Sequence, residues 1–196
     1  MPTVEDICSA MQSIAPLELA AEWDNVGLLL GESAQSVTRL MTTLTLSTTT
    51  VQEAIDRSAS MVIAHHPLPF RPLKTITDAS YYGGLVWKLA SRSIAVYSPH
   101  TAWDSAKAGI NQQLAELLGL QAIAPLEPTS IEGLEGCGTG RFGVVREDVH
   151  LAGFCEQVAA GIPDARTRTV DAGKKIRKVA IACGSGGSFL SAARRA

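Results

Sequence analysis

Two adjacent histidines, His65 and His66, follow the apolar run Met61–Ala64 and precede Pro67. An apolar run of that length reads as a buried strand, and it must stop at or just before the proline, which cannot donate to a ladder. The imidazoles then sit at a strand's carboxyl end, where loops leaving an open α/β sheet expose polar groups to a ligand. A second segment repeats the pattern, because "SIAVYSPH" reads as a strand ending at His100 and Asp104 follows four residues later. Two or three imidazoles with a carboxylate form a donor set suited to zinc, iron, manganese or nickel. Neighbouring residues of an extended chain point to opposite sides, so His65 and His66 are expected to serve two ions, or one as ligand and the other as support. A plainer reading fits the same residues, with each histidine bonding a loop carbonyl and Asp104 capping a helix. His150, before another predicted helix, is expected to cap it or face solvent.

The elements that must position these side chains are also legible. Thr3 and Asp6 are spaced as a capping box with Asp in place of Glu, and Ile7, Met11 and Ile14 then share one stripe of a helix ending at Pro16. "EWDNVGLLLG" reads as a turn around Asp24 and Asn25, then a short apolar run closed by Gly31. Next, "VTRLMTTLTLS" predicts a strand, "TTTVQEAIDRSA" a helix, "MVIAHH" a strand, "YYGGLVWKLAS" a helix and "SIAVYSPH" a strand. Right-handed crossovers in this βαβαβ series make the three strands parallel and bring both histidine segments to one sheet edge.

After "AGINQQLAELLGL", an amphipathic helix carrying Ile110, Leu114, Leu117 and Leu118, the composition turns to Pro, Gly and Glu. That change places a linker or lobe boundary near Pro125 to Glu132. The expected organisation is an α/β lobe over residues 1–125 and the start of a second over 126–196. In the second, "FGVV" and "RTRTV" predict strands, "HLAGFCEQVAAGI" a helix, "GKKIRK" a charged turn, and "VAIACGSGGS" a strand with a glycine loop. "SFLSAARRA" opens a helix whose apolar stripe, begun by Phe189 and Leu190, is too short to bury itself, so the layer is expected to continue past Ala196.

The glycine loop is a second candidate site. Backbone N–H groups of Gly184, Ser185, Gly186 and Gly187, between a strand and a helix, could hold the phosphate of a nucleotide. The loop lacks the G-K-[ST] of a P-loop, and its spacing does not fit G-x-G-x-x-G, so a tight strand-to-helix turn is the stronger reading. Lys174, Lys175, Arg177 and Lys178 read as a solvated turn.

Composition narrows the class. With 196 residues and 46% hydrophobic, the chain can bury a sizeable core, and 17 basic against 19 acidic residues give no global attraction to nucleic acid or anionic membrane. The start "MPTVEDICSA" lacks a basic n-region and an apolar h-region, and no run approaches a membrane span, so a cytoplasmic protein is expected. Cys8, Cys137, Cys155 and Cys183 form no C-x-x-C pair and read as small reduced hydrophobes.

Taken together, "AAEWDNVGLLLG", "TTTVQEAIDRSASMVIAHHPLPFRPLK", "IAVYSPHTAWDSAKAGINQQLAELLGL", "GCGTGRFG" and "KVAIACGSGGSFL" resemble the Nif-three-like family, also labelled GTP cyclohydrolase I type 2 homologues or dinuclear metal centre proteins. The resemblance runs in order across nearly the whole chain. It implies two α/β lobes with mixed sheets, two divalent metal ions in a cleft between them at strand carboxyl ends, and a homo-oligomer built as a trimer of dimers. It also implies that His65, His66 and Asp104 are metal ligands, with His100 lining the site as a supporting group, an occasional ligand or a catalytic proton carrier. Two departures stand out: Thr45 occupies the position where the family's strand reads L-D, and the family's G-H-x-x-x-E segment is absent, so it is expected either beyond Ala196, with two metals bound, or not at all in a degenerate copy that binds one metal weakly or none.

Two functions follow as expectations. The first is a metal-dependent hydrolase, cyclohydrolase-like, acting on a small-molecule nucleotide or related heterocycle. The second is a metal-binding oligomeric scaffold whose surface docks partners without catalysis.

Overall fold

In the computed structural model, which describes residues 1–196, helix α1 (Val4–Ile14) begins at the expected capping box. Thr3 Oγ1 accepts from the Asp6 backbone N–H, and the Asp6 carboxylate accepts from the Thr3 N–H at 2.7 Å. The buried stripe is rotated from the expected one: Val4 and Cys8 are buried, Ile7 and Met11 pack at its margin, and Ile14 is half exposed. The protein is α/β with two separate sheets, and it divides into two compact units, Met1–Trp103 and Asp104–Ala196. This division falls inside a helix, upstream of the Pro125 boundary read from composition.

The first unit holds β1 (Gly27–Leu30), β2 (Leu40–Thr43), α2 (Thr48–Asp56), β3 (Met61–Ala64), α3 (Tyr81–Ala90) and β4 (Ala95–Ser98). The sheet order is β1-β4-β3-β2, with β2, β3 and β4 parallel as expected and β1 antiparallel to β4. Side chains alternate across the central strands. Val62, Ala64 and Val96 join Val51, Leu85 and Leu89 of the crossover helices, whereas Met61, Ala95 and Tyr97 meet Val4 and Cys8 of α1. Strands covered on both faces are apolar throughout, which is why "MVIA" and "IAV" read as continuous runs rather than alternations.

Two consequences of this topology position the site. Parallel β2, β3 and β4 end at one sheet edge. Antiparallel β1 starts at that same edge, because Gly27 pairs with Ser98 at the end of β4. The turn before β1, Trp23 to Asn25, is therefore delivered to the strand tips that carry the histidines.

The second unit begins within α4 (His100–Ser105) and continues with α5 (Ile110–Leu117), β5 (Gln121–Pro128), β6 (Gly138–Val149), α6 (Leu151–Gly161), β7 (Ile176–Ile181) and α7 (Leu190–Arg195). Its strands form an antiparallel sheet in the order β5-β6-β7, whose core gathers Ala115, Leu118, Leu120, Phe154, Val158 and Val179. The stretch expected as a linker is instead a hairpin through Pro128, and the Gly-rich composition has a local cause. Gly138 sits at φ +141, and a Cβ there would lie 2.3 Å from the Glu127 carbonyl oxygen of the paired strand. Glycine there permits close strand approach rather than marking a boundary. "RTRTV" is not a strand: it has no partner in the sheet, and Val170 is almost fully exposed. The second half of "GKKIRK" is strand, since Ile176 pairs with Val149 and Lys178 with Val144, while Gly173 and Lys174 form a bend ahead of it.

Arg141 is the largest fully buried side chain. Its guanidinium donates to the carbonyls of Gly138, Gly140 and Ala106 at 2.7–2.8 Å, and its Nε donates to Gln112 at 2.9 Å. One planar fork thus satisfies backbone acceptors left by the irregular glycine strand and by the end of α4. Arg141→Met keeps apolar bulk but orphans these acceptors, and urea unfolding is expected to show a loss of about 3–5 kcal/mol.

Candidate metal centre

β3 stops at Ala64, and the chain bends at His65 and His66 while their N–H groups still donate to the carbonyls of Thr43 and Leu44 at 3.0 and 2.9 Å. The bend removes the extended geometry that would turn the two rings to opposite sides, so their centroids lie 5.1 Å apart. His100 arrives from the tip of β4, with ring centroids 5.2 Å from His65 and 5.7 Å from His66. One ligand atom from each of the three lies within 4.8 Å of the other two, so this group could hold a metal ion. The expectation that the adjacent pair serves two ions, or one as ligand and the other as support, therefore does not follow from the local backbone.

The His100 and His66 rings are supported from behind. His100 Nδ1 donates to the Asp24 carboxylate at 2.8–2.9 Å, and that carboxylate has no exposed side-chain surface. Asp24 also accepts from the Asn25 N–H at 2.8 Å, the Thr101 N–H at 3.1 Å and the Thr101 hydroxyl. Burial acts to raise its pKa, but the bonds from Thr101, His100 and the two backbone N–H groups outweigh it and hold the carboxyl below its usual range. An ionised carboxylate can only accept, so Nδ1 of His100 carries the proton and Nε2 keeps its lone pair for a ligand. The His100 backbone stands at φ +26, an uncommon conformation for a residue with a Cβ, and the same carboxylate holds it there by gripping both its ring and the next N–H.

His66 has a different support. Its Nδ1 lies 2.7 Å from Thr45 Oγ1, so the Thr45 position that resemblance marks as a departure still faces a histidine ring. The hydroxyl can accept from Nδ1–H, which leaves Nε2 available, but it adds no charge. The donor set fits a divalent ion: three imidazoles, with an Nε2 lone pair fixed on His100 and permitted on His66.

Asp104 lies one turn beyond His100 on α4 and is outside the three-histidine group. It belongs to the second unit, where its carbonyl accepts from Asn111 Nδ2 at 3.0 Å and its carboxylate bonds the Cys183 thiol. Burial, then the Asp104 charge, pushes that thiol up to about 12, so Cys183 stays protonated and is a poor nucleophile at neutral pH. Gly184 to Gly187 lead into a four-residue 3-10 turn, Gly186–Phe189, and the six-residue α7, rather than into one long helix. His150 is the N-cap residue of α6 and is exposed, with no side-chain capping bond.

Asp24 is the supporting residue that sequence reasoning missed. The Trp-Asp-Asn turn was legible, but its placement depends on β1 running antiparallel, which no local pattern records.

These features define an α/β protein with a histidine cluster, able to hold metal, at the carboxyl edge of a parallel sheet. The chain belongs to the family described as Duf34/NIF3 (NGG1p interacting factor 3), whose pattern matches residues 2–196. It is 33% identical over 193 residues to a GTP cyclohydrolase 1 type 2 homolog of Clostridium acetobutylicum, covering 98% of this chain and 72% of that protein. It is 31% identical over 189 residues to NIF3-like protein 1 of Drosophila melanogaster, covering 94% of this chain and 64% of that one. A crystal structure of a Staphylococcus aureus hypothetical protein superposes with a TM-score of 0.88 at 26% identity, covering 100% of this chain and 76% of that one. No helix is long and apolar enough to cross a membrane.

If Asp24 sets the tautomer and basicity of His100, Asp24→Ala should weaken zinc binding about 10–100-fold. Competition titration against a chromophoric chelator measures this, and Asp24→Asn, which keeps an acceptor without the charge, should fall between the two.

Proposed function

We propose that the protein binds divalent metal at its strand-end histidines and uses it to hydrolyse a nucleotide or related heterocycle, as the name GTP cyclohydrolase 1 type 2 homolog carried by its relatives suggests. The observation that carries this reading is the convergence of His65, His66 and His100, with donor atoms within 4.8 Å of one another. A bound zinc, iron, manganese or nickel ion would lower the pKa of a coordinated water and polarise the group under attack.

The chain's own residues supply the rest. His65 and His66 offer two imidazole donors, and His100 offers Nε2 with Nδ1 tied to Asp24. That tie lets His100 either add a third donor or accept a proton at Nε2, while Asp24 stabilises the imidazolium that results. The resemblance adds Asp104 as a carboxylate ligand and a second divalent ion. It also points to a homo-oligomer acting on a small molecule.

Elemental analysis of purified protein should find at least one divalent ion per chain, removable by chelation. Nucleotide, phosphoester and cyclic-amide substrates should show turnover that chelation abolishes and zinc or manganese restores. His65→Ala and His100→Ala should each lower kcat by about 10²–10⁴. A protein that takes up no divalent ion overturns the reading. Turnover on none of these substrates by metal-loaded protein supports a metal-binding interaction protein instead.

A further inference from the structure

We infer that the cavity beside the histidines binds a planar heteroaromatic anion, with Phe70 and Tyr82 holding the ring and Arg71 the anionic group. The inference names the substrate class of the site proposed above, and rests on that reading only for which end of the ring faces the histidines.

The cavity measures about 630 Å3, within the range of roughly 300–1,000 Å3 usual for small-molecule sites. His66 and His100 line one side of it, so whatever fills it meets the candidate metal centre. Much of the wall is the segment "PLPFRPL", Pro67 to Leu73. Its three prolines fix φ and carry no N–H, so the backbone of this wall is stiff and poor in donors, and Arg71 is the charged side chain it offers a ligand. The rest of what it presents is flat apolar surface, and Tyr82 of α3 adds a second aromatic ring. Phe70 and Tyr82 are 45% and 58% exposed, a large aromatic area left open to water that a stacked ring would cover.

Charge selects further. Arg71 lines the cavity and no Asp or Glu does, so the site favours an anion over a cation. Thr45, the two histidines and the Tyr82 hydroxyl are the other polar side-chain groups of the lining residues. A ligand suited to this distribution is apolar on its faces, carries a ring heteroatom for the histidine side and bears a negative group for Arg71.

The wall is also organised in advance. Asn25 Nδ2 donates to the Pro69 carbonyl at 2.7 Å, and Trp23 packs edge-on to Phe70 with ring centroids 6.0 Å apart. Phe70 in turn meets the His100 ring edge-on at 6.1 Å. The aromatic wall is therefore held by the same turn that supplies Asp24 to His100, which lowers the ordering cost on binding.

Calorimetric titration with benzimidazole-5-carboxylate tests this on zinc-loaded and on chelator-treated protein. The probe should bind both forms, and the zinc-loaded form more tightly. Phe70→Ala should weaken binding about tenfold, and Phe70→Leu, which keeps apolar bulk without the ring, should also weaken it. Arg71→Ala should cost a similar factor for the carboxylate probe and leave neutral benzimidazole unaffected. The inference is overturned if cyclohexanecarboxylate binds as tightly as the flat probe, or if the Phe70 variants bind like the parent. Zinc uptake without probe binding in either form sinks this inference and leaves the metal reading standing. Phe70-dependent probe binding by protein that takes up no zinc does the reverse.

Discussion

The candidate centre depends on one buried negative charge. A carboxylate taken out of water costs several kcal/mol unless donors replace its hydration. Around Asp24 those donors are the His100 ring, the Thr101 N–H and hydroxyl and the Asn25 N–H. Each is also a group whose position the site needs. The Thr101 hydroxyl accepts from the Ala21 N–H at 3.0 Å while donating to Asp24, so the start of α4 is laced to the chain ahead of β1 from both sides. Strain at the His100 backbone is sustained by this network, because relaxing φ would swing the ring or the next N–H off the carboxylate.

That charge reaches the strand tips through sheet topology alone. Parallel strands joined by crossover helices put their carboxyl ends on one edge, and an antiparallel edge strand is the simplest way to bring a preceding turn to the same edge. β1 does this by pairing Gly27 with Ser98. Asp24 then faces His100, while Asn25 and Trp23 face the proline-rich wall. Three consecutive residues thus support both the histidine donor and the cavity wall, and Trp23 touches both, packing edge-on to Phe70 and to His100.

Much of the first unit was legible in the sequence because its signals are local and mutually consistent. The Thr3 and Asp6 cap, the doubly buried runs before the histidines and the helices between them each have their own pattern, and all agree with one βαβαβ path. The convergence of the histidine segments followed from that path. What could not be read were features set by contacts distant in sequence. Asp24 and His100 are separated by 76 positions and joined only through β1. The second unit was misread where glycine served close strand pairing, as at Gly138, because composition does not distinguish that role from a linker. Alternation misled at "RTRTV", since a period-two pattern without an apolar face has nothing to bury.

The supports behind the histidines are unequal, and this asymmetry bears on how a metal would sit. An imidazole backed by an ionised carboxylate is a stronger donor than one backed by a hydroxyl, because the carboxylate stabilises the charge that coordination draws onto the ring. His100 has the carboxylate and His66 has Thr45. The hydroxyl can also reverse its role, since it can donate to Nδ1 and leave the proton on Nε2, whereas Asp24 allows His100 one tautomer only. His66 is moreover exposed, while His100 is half-buried. His100 is therefore the fixed donor of the set and His66 the adjustable one. Both rings line the cavity, so a ligand entering there meets one histidine held in a single tautomer and one that can change its tautomer.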